Sequence, residues 1–415
     1  MLNLLNKFYN QMYKKNLSLG DKKAIIPLFD FYAKFMLLVA VLSRVSFAAL
    51  AIMISLKTEN GFLVSPFVEV RFGDYGFYFC GGEIELPCQL RISEISAWLK
   101  EPFLFFIQGG SVDTFMQRPL VPGPLFPWLL HFFNYSKQPV VLASIYLIAS
   151  ALLVFGWVLY YRARKVALWG QLALIAFPLT LWYSLALSTE LLMSVALFIF
   201  FCGALAKRRL PFWGISCALA GFILMLLIRP NSLSLFPAIL LVLFLNRNVM
   251  SKLCAAVIVV MITSIFAYFV VYYAPYFFMV QEASLGISYW GIPSQQYYEG
   301  LFPNFPLILD QVISNGALIV SKLIYASGLR PSYSDTTTLF VFLRGMGGIL
   351  ILPGIFYCFY RGSWLERVLL FGFLFPLLIT VAQERYLLPI APLLLLYGGI
   401  FWKDLYLSVR KRFCL

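Results

Sequence analysis

The chain has 415 residues, of which 61% are hydrophobic and 12% charged, and its mean hydropathy is +0.85. These proportions exclude an ordinary soluble domain and leave a polytopic membrane protein. The net charge of +14 does not point to nucleic acid, because the cations fall in short bursts between apolar runs, the pattern of loops beside anionic lipid.

Residues 1–30 open with MLNLLNKFYNQMYKKNLSLGDKK, polar and basic, without the apolar core and small-residue cleavage site of a signal peptide. They are expected to form a cytoplasmic tail, and residues 31–415 a single transmembrane domain. A spanning helix takes about 20 mostly apolar residues. Runs of that kind predict spans over 31–56, 138–161, 166–184, 189–206, 211–228, 232–247, 253–275, 337–360, 365–382 and 386–403. The apolar segment 306–327 carries Asp310, Gln311, Asn315 and Lys322 and is expected to lie along the outer leaflet without crossing. With a cytoplasmic N-terminus, the cations Arg162, Arg164, Lys165, Lys207, Arg208, Arg209, Arg247, Lys252, Arg361, Arg367, Lys403, Arg410, Lys411 and Arg412 then fall on the cytoplasmic side. The expected fold class is therefore an all-α polytopic membrane protein of about ten transmembrane helices with both ends cytoplasmic.

Two long connections, 57–137 and 276–336, lie on the outer face in this topology. Within the first, 92–108 shows apolar residues at helical spacing, and 119–133 reads as a short Pro-punctuated apolar helix; both are expected at the membrane interface. Cys80 and Cys88 in the same connection are open to two readings, a disulfide or two thiols. His131 is the only histidine, which removes any site built on paired histidines.

Charges set against hydrocarbon are costly and therefore informative. Asp74 in VRFGDYGFYF, Glu190 in LSTELLMS, Arg229 in LIRPNS and Arg385 in AQERYLLPIAP are all expected near the outer interface, with Arg344 a turn or two deeper and Arg44 inside the first span. Each has a plain structural alternative. Glu190 suits a helix N-terminus, with Ser188 or Thr189 as cap; Arg229 and Arg385 suit lipid headgroups; Asp74 suits a turn after Gly73; Arg44 suits a nearby carbonyl or acid. Gathered on one face, carboxylates and guanidinium groups suit chemistry on an anionic substrate.

The order of these motifs resembles the GT-C superfamily of polyprenyl-phosphate-dependent glycosyltransferases, which includes protein mannosyltransferases and lipid A aminoarabinose transferases. The resemblance rests on Asp74 to Tyr78 in GDYGFY, Arg118 to Pro127 in RPLVPGPLFP, Arg229-Pro230, and Arg385-Tyr386 in ERYLLPIAP. It implies a GT-C-like bundle with outer-face interfacial helices and an inverting transfer of one sugar from a polyprenyl phosphate to an acceptor hydroxyl on a glycan, lipid or protein. Asp74 would be the general base, and Arg385, Arg229 and Arg344 would receive the donor phosphate. Tyr75, Tyr78, Glu190, Arg118 and Tyr386 would contact sugar or acceptor. At Asp74 the first loop has a lone aspartate where several branches of the family have an adjacent acidic pair, the next acids being Glu83 and Glu85, which leaves dependence on a divalent metal open; no metal ligand or other cofactor is assigned. The implied location is a bacterial inner membrane with the site facing outward, and the implied partners are the lipid-linked donor, the acceptor and membrane lipids. The alternatives are a flippase or transporter of an anionic lipid-linked substrate, and a glycan polymerase or ligase of related fold.

Overall fold

The computed structural model describes residues 19–57, 125–133, 139–177, 180–181, 189–207, 210–244, 260, 264, 319–329, 338–379 and 384–413. Their regular elements are all helical. In chain order they are α1 (Leu19–Lys57), α2 (Leu125–Phe132), α3 (Pro139–Ala163), α4 (Leu168–Ile175), α5 (Thr189–Ala206) and α6 (Pro211–Ile228). A 3-10 turn (Pro230–Leu235) leads into α7 (Phe236–Phe244), followed by α8 (Ile319–Ala326), α9 (Thr338–Arg361) and α10 (Trp364–Ile379). A second 3-10 turn (Glu384–Ile390) leads into α11 (Ala391–Phe413).

Among the described residues five helical stretches are long and apolar enough to cross a membrane: Phe31–Leu50, Val140–Ala163, Thr189–Ala206, Pro211–Ile228 and Leu387–Lys411. The run 166–184, expected as one span, is interrupted within its described part and has helical positions again at 180 and 181, where the Leu181 N–H donates to the Phe177 carbonyl at 3.1 Å. Helix α4 covers only eight residues of it and stops at Ile175, with Ala176 and Phe177 outside the helix. Pro178 follows and has no N–H to continue the ladder. The runs expected at 232–247 and 386–403 are helical but enter through 3-10 turns, each holding a proline. The run 253–275 and the loop segment 92–108 lie outside the described residues, apart from single helical positions at 260 and 264.

Side-chain contacts fix how the helices run. The Trp157 and Tyr160 rings near the end of α3 meet Phe201 near the end of α5, so α3 and α5 are parallel. Tyr32 near the start of α1 donates to Gln171 in α4, and its ring lies 3.6 Å from the Arg162 guanidinium at the end of α3. Lys207, just past α5, donates to the Val242 carbonyl late in α7. Arg361 at the end of α9 lies 3.8 Å from Asp404 in α11. One end of the bundle therefore collects Arg162, Arg164, Lys165, Lys207, Arg361, Arg367, Lys403, Arg410 and Lys411; we refer to it as the basic end.

A carboxylate organises this end. Ser363 and Glu366 form a capping box at the start of α10: the Glu366 carboxylate accepts from the Ser363 N–H at 2.6 Å, and the Glu366 N–H points to Ser363 Oγ at 3.4 Å. The same carboxylate accepts from Tyr160 at 2.8 Å and Tyr397 at 2.9 Å, and lies 3.3 Å from Arg164, which also donates to the Tyr397 hydroxyl at 2.7 Å. One buried acid thus ties α3, α10 and α11 together. Burial alone would lower the Arg164 guanidinium, but Tyr160, Glu366 and Tyr397 outweigh it and hold Arg164 above the ordinary arginine range.

The closest helix packing uses glycine. In the hairpin of α5 and α6, Gly203, Gly214 and Gly221 each abut backbone of the partner helix. Helices α9 and α11 run parallel, and a Cβ added at Gly354 or at Gly398 would collide with the carbonyl oxygen of Leu394 or Leu350, respectively. In lipid, where helix association leans on close packing, such contacts carry much of the interface. Replacing Gly398 with valine is expected to lower stability by about 1–3 kcal/mol, whereas Gly399→Ala, with nothing within 4 Å of the added atom, should melt at the wild-type temperature. Thermal unfolding of the purified proteins in detergent checks the contrast, and equal melting temperatures for the two variants would refute the packing account.

Candidate functional site

Two groups of polar side chains interrupt the apolar interior away from the basic end. The first surrounds Arg44, whose side chain is fully buried in α1. Its Nη1 donates to the Ile175 carbonyl at 2.7 Å and to Ser43 Oγ at 2.9 Å, and its Nε lies 3.4 Å from Ser150 Oγ. Ser150 sits near the middle of α3, ten residues after Val140 and thirteen before Ala163, so this charge lies within the hydrocarbon thickness. The contact has a clear cause. Ile175 closes α4, and the last carbonyls of a helix need partners from outside it, which in lipid are costly to leave unmade. A cation at a helix C-terminus also meets the negative end of the helix dipole. Among the described residues Arg44 has no carboxylate partner, and its Nη2 has no hydrogen-bond acceptor. The structure therefore bears out the carbonyl-pairing alternative for Arg44. Phe177, just after the break, packs on Gly347 of α9, where a Cβ would approach the ring to 3.0 Å.

The second group lies at the open end of the α5–α6 hairpin, opposite the basic end. Pro230 restricts the residue before it to extended backbone, and Arg229 has φ −145° and ψ 114°, which ends α6. Arg229 Nη2 lies 2.5 Å from Glu190 Oε1 and its Nε donates to Thr189 Oγ1 at 2.9 Å. Glu190 stands in the first turn of α5, where a carboxylate suits the positive end of the dipole, while Arg229 suits the negative end of α6. The side chains are 3% and 14% exposed. The pair is a neutral, oriented lock between two helix termini.

The remaining candidates divide by position. The 3-10 turn Glu384–Ile390, which contains Arg385 and Tyr386, packs against α5, the helix that begins with Thr189 and Glu190. Arg344 lies in the second turn of α9. For these three residues the backbone position is what the structure describes. Asp74, Tyr75, Tyr78 and Arg118, with Cys80 and Cys88, lie outside the described residues. The Pro-punctuated segment 119–133 contributes α2, as expected from its sequence. Among the described residues no group of three or more His, Cys, Asp or Glu side chains is gathered in metal-binding geometry.

The Glu366 cluster was not anticipated from the sequence, although Ser363-Trp364-Leu365-Glu366 carries the S-x-x-E signature of a helix start. Its donors are internal to the bundle and join α3, α10 and α11.

No family model, curated protein or solved structure matches the chain. The helices and their apolar composition define an α-helical membrane protein.

The lock between Glu190 and Arg229 has a measurable signature. Glu190→Gln leaves a largely buried guanidinium without its counter-charge and is expected to cost about 3–5 kcal/mol. Adding Arg229→Met to that variant should restore part of the loss, giving a double-mutant coupling above about 1 kcal/mol in detergent unfolding. Additive single effects would remove the pair from the account of stability.

Proposed function

We propose that the protein is an inverting glycosyltransferase that moves one sugar from a polyprenyl-phosphate donor to an acceptor hydroxyl, working at the membrane face opposite the basic end. On the positive-inside rule that face is the outer one, and the membrane is a bacterial inner membrane. The observation that carries the reading is a shared helix: Arg229 pairs at the beginning of α5, and the turn bearing Arg385-Tyr386 packs against that same helix. This agrees with the order of GT-C-like motifs in the sequence.

In this reading Asp74 accepts the proton of the acceptor hydroxyl as that oxygen attacks the anomeric carbon. The bond from that carbon to the phosphate oxygen breaks on the opposite face, so configuration inverts, and the polyprenyl phosphate leaves as an anion. Positive charge stabilises its departure. Glu190 already neutralises Arg229, so this task falls to Arg385 and Arg344, and Arg229 becomes a positioning residue for the start of α5. Tyr75, Tyr78 and Tyr386 offer ring faces and hydroxyls to the sugar, and Arg118 serves the acceptor side.

One observation favours a second reading, a transporter of an anionic lipid-linked substrate. Arg44, which has no carboxylate partner among the described residues, places a cation inside the bilayer beside the end of α4, and discontinuous helices with mid-membrane charges are features of secondary transporters.

The two readings separate in nanodiscs supplied with polyprenyl-phosphate sugars and a membrane extract. The wild type is expected to release polyprenyl phosphate. Asp74→Asn should lower turnover by about 10²–10⁴ without loss of donor binding, and Arg385→Gln should lower both turnover and donor affinity. Donor that crosses the bilayer of proteoliposomes intact, with no phosphate released, would instead establish the transporter.

A further inference from the structure

Helix α11 is unbroken from Ala391 to Phe413, yet its neighbour stops earlier. The parallel helix α9 accompanies it as far as Asp404, where Tyr357 donates to the Asp404 carboxylate and Arg361, the last residue of α9, lies 3.8 Å away. The residues after Asp404 continue for more than two helical turns, about 13 Å, and every side chain from Leu405 to Lys411 is exposed.

This free end has two faces. Trp402, Leu405, Tyr406 and Val409 recur at the i, i+3, i+4, i+7 spacing of one helical stripe and are 41%, 41%, 63% and 44% exposed. Lys403, Arg410 and Lys411 share the remaining surface with Leu407 and Ser408, all exposed, and Arg412 follows in the sequence. The one acid of the stretch, Asp404, is already engaged by Arg361. A basic amphipathic stripe needs a partner that offers apolar contact and negative charge together.

The surroundings say which partner. Trp169 at the start of α4, Trp213 at the start of α6 and Trp364 at the start of α10 are exposed at this same basic end. They form the kind of aromatic belt that marks a headgroup layer. A second copy of the chain would set Arg410 and Lys411 against their own equivalents, which disfavours self-association on this stripe. An anionic leaflet has no such conflict: the aromatic and aliphatic side chains enter the interface while lysine and arginine extend to the phosphates.

We propose that the end of α11, from Trp402 to Lys411, is a docking surface for anionic phospholipid headgroups of the leaflet at the basic end. The surface is independent of the catalytic reading and lies at the opposite end of the bundle from Glu190 and Arg229.

The test uses the full chain in detergent, titrated with phosphatidylglycerol or phosphatidylcholine and read by native mass spectrometry, beside the triple variant K403Q/R410Q/K411Q and the control Lys165→Gln on the α3–α4 turn. Phosphatidylglycerol should bind the wild type and the control in preference to phosphatidylcholine. The triple variant should bind it more weakly by on the order of a hundredfold, since each basic side chain near an anionic surface contributes, and should lose the wild type's sensitivity to salt. Far-ultraviolet circular dichroism melts establish that the variant is folded. Equal affinity in wild type and triple variant, or no preference for the anionic lipid, would overturn the proposal. A disulfide-linked dimer of Val409→Cys formed equally in zwitterionic and anionic nanodiscs would assign the stripe to a second copy instead.

Discussion

In hydrocarbon every backbone N–H and C=O must find its partner within the protein, and the polar side chains of this bundle are largely placed by that demand. Arg44 takes the Ile175 carbonyl where α4 stops, Lys207 takes the Val242 carbonyl, Tyr161 takes the Pro392 carbonyl beside the entry to α11, and Glu366 takes the Ser363 N–H where α10 begins. Each of these bonds sits at the end of a helix or joins one helix to another. Polar side chains thereby supply partners for backbone groups at and between helix ends.

The same demand explains what could be read from the sequence. Apolar runs gave helices at the expected places for α1, α3, α5, α6 and α9, because a run of about 20 apolar residues has few other stable states in lipid. The interruption of 166–184 was less legible. Pro178 marks a gap in the ladder, but whether the chain bends or stops there depends on which groups reach the carbonyls around it, and the donor to Ile175, Arg44, is 131 residues away. Glu190 and Arg229 were each recognised as charges near one interface, while their pairing required α5 and α6 to close as a glycine-lined hairpin. The role of Glu366 is hard to read because only Gly362 and Ser363 separate α9 from α10, and its partners Tyr160 and Tyr397 are aromatic residues within apolar runs.

A distinction follows between charges that hold the bundle and charges available to a ligand. Besides its own N-cap, Glu366 has donors on α3 and α11 and from Arg164 just past α3, and the Glu190–Arg229 pair is electrically neutral and matched to two helix dipoles. Neither arrangement has a net charge to offer an anion without first being taken apart. Arg44 differs, for its acceptors are a carbonyl and hydroxyls, none of which cancels a full positive charge.

That residual charge bears on the choice between enzyme and transporter more than any other described feature. A transferase working at the membrane surface needs its cations near the outer interface, where the phosphate of a lipid donor resides, and Arg44 is too deep to meet it there. Its role in that case is to cap α4, so a neutral donor such as glutamine at position 44 should serve once the helix is folded. A carrier of an anionic substrate needs the charge itself at that depth. The requirement for charge, rather than for a hydrogen-bond donor, at position 44 therefore separates a structural arginine from one on a substrate path, and it does so without knowledge of the substrate.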